Sequence, residues 1–380
     1  MRLLNRNRSV MTAPLLDSHC RQKHTIALGK ATRLVSIALW VRFVNRAANR
    51  HLRHQVYSVQ QQYPQEYTVR SGPIVAVGDL VWDVLVQPDT LLLPGGDTTG
   101  RIAVQPGGSA ANVSAWIARL GSSAGFVGSV GNDPFGDMIV ADLEREGVHC
   151  SIARSHTHNT GVIAVMIDRA GQRSMITNQG ADFCLLPSDI PADVMANAAH
   201  VHITAWSLFS EPPRAAALAA AHMAKAAGAT VSFDPASYQM IREMGHDRFD
   251  ETIATLPVDI VFPNRDEGMV LTGEKEPTMI ARALRKRFPH AIVVLKLDRD
   301  GCFVCGPTYE GFHRSQPVEV VDATGAGDSF NAGFLARYQR DGDLAAAAAV
   351  ANACGGWVVS RFGARPPVDD AFRRSIAALA

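Results

Sequence analysis

The chain has 380 residues, 47% of them apolar and 19% charged, which suits one large α/β domain or two smaller ones and excludes collagen, a coiled coil or disorder throughout. No run approaches the roughly 18 to 20 consecutive apolar residues of a membrane-spanning helix. Six scattered cysteines do not make the framework of a small secreted domain, so the expectation is a soluble cytoplasmic protein with reduced thiols and no membrane partner. The net charge of +1 conceals an asymmetry: residues 1–70 hold 12 Lys and Arg against only Asp17 and Glu66, leaving 25 basic and 34 acidic residues in the rest. That acidic remainder is a poor match for phosphate backbones, and no nucleic-acid partner is expected. The leader is acid-poor and Arg-rich, as transit peptides are, but its apolar spacing is irregular and it carries no cleavage signal. Residues 1–72 are therefore read as a basic extension, a flexible tail or residues ahead of the true start, outside the folded domain of 73–380.

From Ile74 the pattern changes. Ile74–Val77 is a short apolar run stopped by Gly78 and Asp79, as in a buried strand. Further β-branched runs follow at 124–130, 199–204, 230–233, 259–262 and 291–295. Helical patterns fall between them at 110–120, 135–146, 213–227 and 278–287, with Gly121, Gly147 and Gly228 as C-terminal stops. Strands alternating with helices predict a mainly parallel sheet covered on both faces. Four segments break that rhythm: 84–86, 102–104, 162–167 and 173–178 alternate like half-exposed strands, the last two joined by the hairpin turn Asp168-Arg169-Ala170-Gly171. They predict a small second sheet, drawn from about 83–104 and 160–178, set as a lid at the carboxyl ends of the main strands where open α/β folds bind ligands.

The sharpest local signal is Asp322-Ala323-Thr324-Gly325-Ala326-Gly327-Asp328-Ser329-Phe330, followed by a helical stretch to Arg340. Gly325, Ala326 and Gly327 leave their N–H groups open to close approach at a helix start, where the dipole adds positive potential; this is an anion hole. A carboxylate there repels phosphate unless it has its own task, and taking a proton from an attacking hydroxyl makes Asp328 a general base. The alternative is that Asp328 and Ser329 merely cap the helix. A second small-residue turn, Pro106-Gly107-Gly108-Ser109-Ala110-Ala111-Asn112, also opens a helix. Asn112 shares a face with that turn, and Asp83 follows the first strand. A carboxylate accepts neighbouring hydroxyls well, so Asp83, Gly107, Gly108 and Asn112 together suggest a sugar pocket. Neither a G-x-x-x-x-G-K-[ST] loop nor a G-x-G-x-x-G opening a helix occurs.

These residues resemble the ribokinase, or PfkB-type, carbohydrate kinases over about 73–368. The amino-terminal signature matches Gly107, Gly108, Asn112, Gly121 and Gly131, and the carboxy-terminal one matches Asp322–Phe330 without a gap. The resemblance implies a three-layer α/β fold with a mainly parallel sheet and a β-sheet lid, and ATP-dependent phosphorylation of a sugar hydroxyl with Mg²⁺. It makes Asp328 the base, Gly325–Gly327 the anion hole, and Asp83, Gly108 and Asn112 substrate contacts. Asn264 and Glu267 of an Asn-x-x-Glu motif then organise magnesium and phosphate, a motif that reads equally well as a helix cap. Lys296, Gly301 and Asn352 become nucleotide-side positions, although Lys296 at a strand end could simply snorkel to solvent. Asp322 and Thr324, with the Gly363-Ala364 turn, resemble a monovalent-cation loop, with potassium as its ion. A homodimer through the lid sheet is the partner expected besides sugar and ATP.

The chain departs from the ribokinase pattern where Asn and Lys are usual and it has Val81 and Ser109, and where Gly is usual and it has Asp298. Fructokinase, adenosine-type nucleoside kinase and 2-keto-3-deoxygluconate kinase stay open as substrate classes, and a sugar-binding regulator without transfer is the reading outside enzymes. Cys302 and Cys305 have C-x-x-C spacing without a second pair. His200 and His202 alternate along a buried strand, and His156 and His158 sit in a polar loop. All six are read as structural.

Overall fold

The computed structural model describes residues 70–168 and 173–379. The expected basic extension, apart from its last three residues, and the centre of the 168–171 turn lie outside the described residues. In chain order the strands are β1 (Ile74–Val77), β2 (Val81–Pro88), β3 (Gly100–Gly107), β4 (Ala124–Gly131), β5 (Val148–Ser155), β6 (Val162–Ile167), β7 (Arg173–Thr177), β8 (His200–Thr204), β9 (Thr230–Asp234), β10 (Ile260–Val261), β11 (Ile292–Lys296), β12 (Cys302–Cys305) and β13 (Glu310–His313). The helices that matter below are α1 (Ser109–Arg119), α2 (Pro134–Arg145) and, near the carboxyl end, α3 (Ala326–Asp341) and α4 (Leu344–Val359).

One nine-stranded sheet runs in the order β13-β12-β11-β10-β9-β8-β1-β4-β5. Every pairing from β11 to β5 is parallel, and only β12 and β13 close the far edge antiparallel. Alternation along β1 shows how two layers arise from one strand. Ile74 and Ala76 join the core under α1, α3 and α4, while Val75 and Val77 join the core on the opposite face, with Val201, Val231 and Phe233. Both faces are covered, which is why these strands read as unbroken apolar runs. Gly121, Gly147 and Gly228 follow their helices with positive φ, as expected.

The lid is a four-stranded sheet, β3-β2-β6-β7; β6 and β7 fall within 160–178, whereas β2 starts at Val81 and β3 runs on to Gly107, each past the expected 83–104. Its inner face carries Asp83 and Leu85 of β2 and Val165 of β6; its outer face carries the cross-strand row Val104, Val84, Ala164 and Ile176. The edge strand β5 went unread in the sequence because only Val148 of it is fully buried. Likewise the 259–262 run is strand only at Ile260–Val261.

Candidate active site

The chain leaves β1 outward to β4 and β5, then returns to the other side of β1 and builds β8 to β11 away from it. The order therefore reverses at β1/β8, and side chains at the carboxyl ends of the strands converge there. Asp79 follows β1, Thr204 ends β8, Asp234 ends β9, Asn264 follows β10 and Lys296 ends β11. With the N-terminus of α3 and the lid's inner face they surround a cleft of about 1080 Å³, enough for two small ligands. All expected site residues line it except Gly107 and Asp322.

Asp328 stands in the first turn of α3, whose N-cap, Gly325, offers no side-chain hydrogen bond. Gly325 has φ +72°, and a Cβ there would stand 2.7 Å from Ala364 Cα, so only glycine lets the turn dock on 363–364. Burial pushes the Asp328 carboxyl up to about 7; the hydrogen bond from Asn112 opposes this, and the carboxylates of Asp234 and Asp79 add to it. Asn112 Nδ2 donates to Asp328 Oδ2 at 2.8 Å, while Asn112 Oδ1 accepts from Arg365 Nε at 2.8 Å. Asn112, expected as a substrate contact, thus bridges Asp328 and Arg365. Arg365 went unread because one Arg in a C-terminal loop carries no local signal.

The paired glycines have separate reasons. A Cβ on Gly107 would stand 2.3 Å from Asp83 Oδ2, and one on Gly108, at φ +95°, would stand 2.4 Å from the Asp79 carbonyl oxygen. The turn is stripped so that β2's carboxylate and the end of β1 can lie against it. Asp79, also unread, accepts from Ser109 N at 2.8 Å and Ala110 N at 3.1 Å, capping α1. Burial holds its carboxyl above the ordinary range despite those bonds.

On the other side of Asp328, Lys296 does not snorkel. Its Nζ donates to Asp234 Oδ2 at 2.7 Å, with both side chains largely buried. Burial works against the ammonium, yet Asp234 and Glu267 hold its pKa above the usual lysine range. Burial also works against Asp234, but Lys296 and a hydrogen bond from Asn331 keep that carboxyl low. Nζ lies 3.6 Å from where a Cβ on Gly327 would be, beside the start of α3. Asn264 and Glu267 form a reciprocal capping box, the cap reading of that motif, and both also line the cleft. Burial, reinforced by Asp234, raises Glu267 to about 8. Asn352 Nδ2 donates to the His313 carbonyl at 3.0 Å, tying α4 to β13. Asp298 takes φ +52°, the left-handed conformation that explains the glycine usual there and that Asp tolerates.

Asp322 Oδ1 accepts from Thr324 N and Oγ1 at 2.9 and 2.6 Å, and Oδ2 accepts from Gly363 N at 2.9 Å. Its carboxylate braces the loop. Cys302 and Cys305 are buried thiols, pushed by burial to about 12 and 11, and no cluster of metal-binding side chains occurs among the described residues. His200 is held by Thr230 and Ser232, and His202 by Ser232, all at 2.7 Å.

A carboxyl near neutral pKa beside an uncapped helix start, a lysine next to the same glycines, and a lid over a polyol-like pocket together define a phosphotransferase with an alcohol acceptor. Residues 73–371 match the model of the pfkB family carbohydrate kinases. The chain is 36% identical over 302 residues to an ATP-dependent ribose-1-phosphate kinase of Halopiger xanaduensis, covering 78% of this chain and 96% of the relative. It is 32% identical over 318 residues to a fructokinase of Klebsiella pneumoniae, covering 80% and 100%. Among solved structures it superposes on a putative ribokinase II of E. coli in complex with ATP and Mg²⁺, with TM-score 0.70, 27% identity, and 81% and 100% of the two chains covered. The chain belongs to the PfkB family and is an ATP-dependent sugar kinase.

Proposed function

We propose that the enzyme transfers the γ-phosphoryl group of ATP to a hydroxyl of an uncharged sugar or sugar-like polyol, with Asp328 as general base and the amides of Gly325, Ala326 and Gly327 as the anion hole. The observation that carries this is the position of Asp328, clamped by Asn112 at 2.8 Å at the open start of α3. A carboxyl of pKa about 7 is well matched to accept a hydroxyl proton at neutral pH. Because phosphoryl transfer is loose, with charge on the equatorial oxygens, fixed amides and Lys296 oppose that charge without reorganising. Asp83 accepts acceptor hydroxyls, and Gly108 and Asn112 shape the same end. Asn264 and Glu267, both lining the cleft, would hold Mg²⁺, whose charge would favour the ionised form of the buried Glu267 carboxyl and would offset phosphate charge. Gly301 and Asn352 border the nucleotide end. Potassium at the Asp322–Thr324 loop would take main-chain carbonyls, since the Asp322 oxygens already accept from Thr324 and Gly363.

The acceptor end is lined by Asp79, Asp83, Asn112 and Asp328, whereas the cations lining the cleft among the described residues, Lys296 and Arg299, belong to the β11 end. That distribution favours a neutral polyol over a sugar phosphate, although the Halopiger relative is named for ribose-1-phosphate. Incubating the protein with ATP and, separately, ribose, fructose, 2-keto-3-deoxygluconate, adenosine and ribose-1-phosphate, and reading mass shift, tests it. Best turnover on ribose-1-phosphate would overturn the neutral acceptor, and binding without any product would favour a regulator. The outer row of the lid, with Ile102, Val104 and Ile176 well exposed, supports a homodimer by lid pairing; Val104→Glu then yields monomers by light scattering. No described helix is long and apolar enough to cross a membrane, and the unpaired thiols suit a reducing, cytoplasmic setting.

A further inference from the structure

Next to the acceptor end lies a side pocket of about 20 Å³, room for one water-sized group. Asp79, Ile163 and Trp206 line both this pocket and the main cleft, so the two adjoin. Its far wall is Asp182, in a short 3₁₀ turn after β7. Asp182 is 8% exposed, and its Oδ1 is buried with no hydrogen-bond partner. Gly161 is the reason it fits, since a Cβ there would stand 2.2 Å from Oδ1. Burial, with the charge of Asp79, raises this carboxyl to about 7. The other carboxylate of the pocket is already occupied by the amides of Ser109 and Ala110. A buried acceptor without a donor is costly and is rarely kept without use.

We propose that Asp182 is a specificity-determining residue: a second hydroxyl of the acceptor sugar, distinct from the one phosphorylated, enters the side pocket and donates to Asp182 Oδ1. The inference rests on the neutral-polyol reading above. A hydroxyl supplies the missing donor and fits the volume, whereas a phosphate is too large and would face two carboxyls. Trp206 and Ile163 exclude water around it and strengthen the single bond.

The test measures acceptor KM and ATP KM for the wild type, Asp182→Ala and Asp182→Asn, with D-ribose, 2-deoxy-D-ribose, D-fructose and 1-deoxy-D-fructose. Calorimetric binding of the same sugars without ATP runs in parallel. The expected result is a rise of about 10-fold or more in acceptor KM and Kd for Asp182→Ala, no matching rise in ATP KM, and loss of the wild-type preference for one parent sugar over its deoxy analogue. Asp182→Asn, which retains an acceptor oxygen, falls between. Melting temperature separates function from support: removing an unpartnered buried carboxyl leaves it unchanged or raised, whereas a structural role lowers it for both variants. Unchanged acceptor affinity, an intact deoxy preference or a lowered melting temperature in both variants would overturn the proposal, as would absence of binding by all four sugars. Failure of the catalytic reading looks different: the sugars bind and respond to Asp182, yet Asp328→Asn turns over normally.

Discussion

Two turns of small residues each open a helix at the cleft, and the protein treats them oppositely. At Pro106–Asn112 the amides that begin α1 are taken by the Asp79 carboxylate, at 2.8 and 3.1 Å. At Asp322–Phe330 no side chain caps α3, and a lysine stands beside the glycines. Both helix starts carry positive potential. At the first turn the chain supplies its own anion; at the second no side chain fills the helix start, which in the proposed function receives the phosphoryl group. The lesson is that a glycine turn before a helix acquires a function from what fills it.

Breaking this division should give graded effects. The largest falls on Asp328→Asn: sugar and ATP still bind, and turnover drops by about 10² to 10⁴ in steady-state assays. Near-normal turnover would remove the base. Next is Lys296→Met, which leaves Asp234 buried without its cation. Stability should fall by about 3–5 kcal/mol in urea unfolding, and the ATP KM should rise more than the acceptor KM. A pH profile sharpens the comparison further. The base must be ionised, so kcat/KM for the acceptor should climb with pH and level off above about 7. Stability moves the other way: the folded carboxyl titrates above its ordinary 3.8, so stability contributed at low pH is lost as pH rises to about 7. Asp328→Asn should accordingly melt higher than wild type at pH 8. The smallest effect is Asp79→Ala, which uncovers α1 and should cost about 0.5–2 kcal/mol of stability while raising acceptor KM more than ATP KM.

The short apolar strands, their glycine stops and the four alternating lid segments were legible because each rests on local spacing: two for strands, 3.6 for helices. The edge strand β5 was not, since an exposed edge loses the apolar run that marks a central strand. Of the site, Asp328, Asp83, Asn112 and Lys296 were readable from motif and resemblance. Their companions Asp79, Asp182, Asp234, Asn331 and Arg365 were not, because each is an ordinary polar residue until the sheet brings it to the switch point at β1/β8. Lys296 marks the boundary. Its place at a strand end suggested a solvent-seeking side chain, and only the buried carboxylate of Asp234, 62 residues earlier, turns it inward.

The order of residues by itself determined the central strands, the helices between them, the two glycine turns and the presence of a carboxylate at an anion-attracting helix start, since these depend on backbone freedom and side-chain periodicity within a few residues. Tertiary structure decided protonation, pairing and which turn stays open. Those depend on burial and on charges contributed by distant strands: the Asp328 carboxyl rises to about 7 because folding removes its water and sets Asp79 and Asp234 nearby, neither of which is its neighbour in the chain.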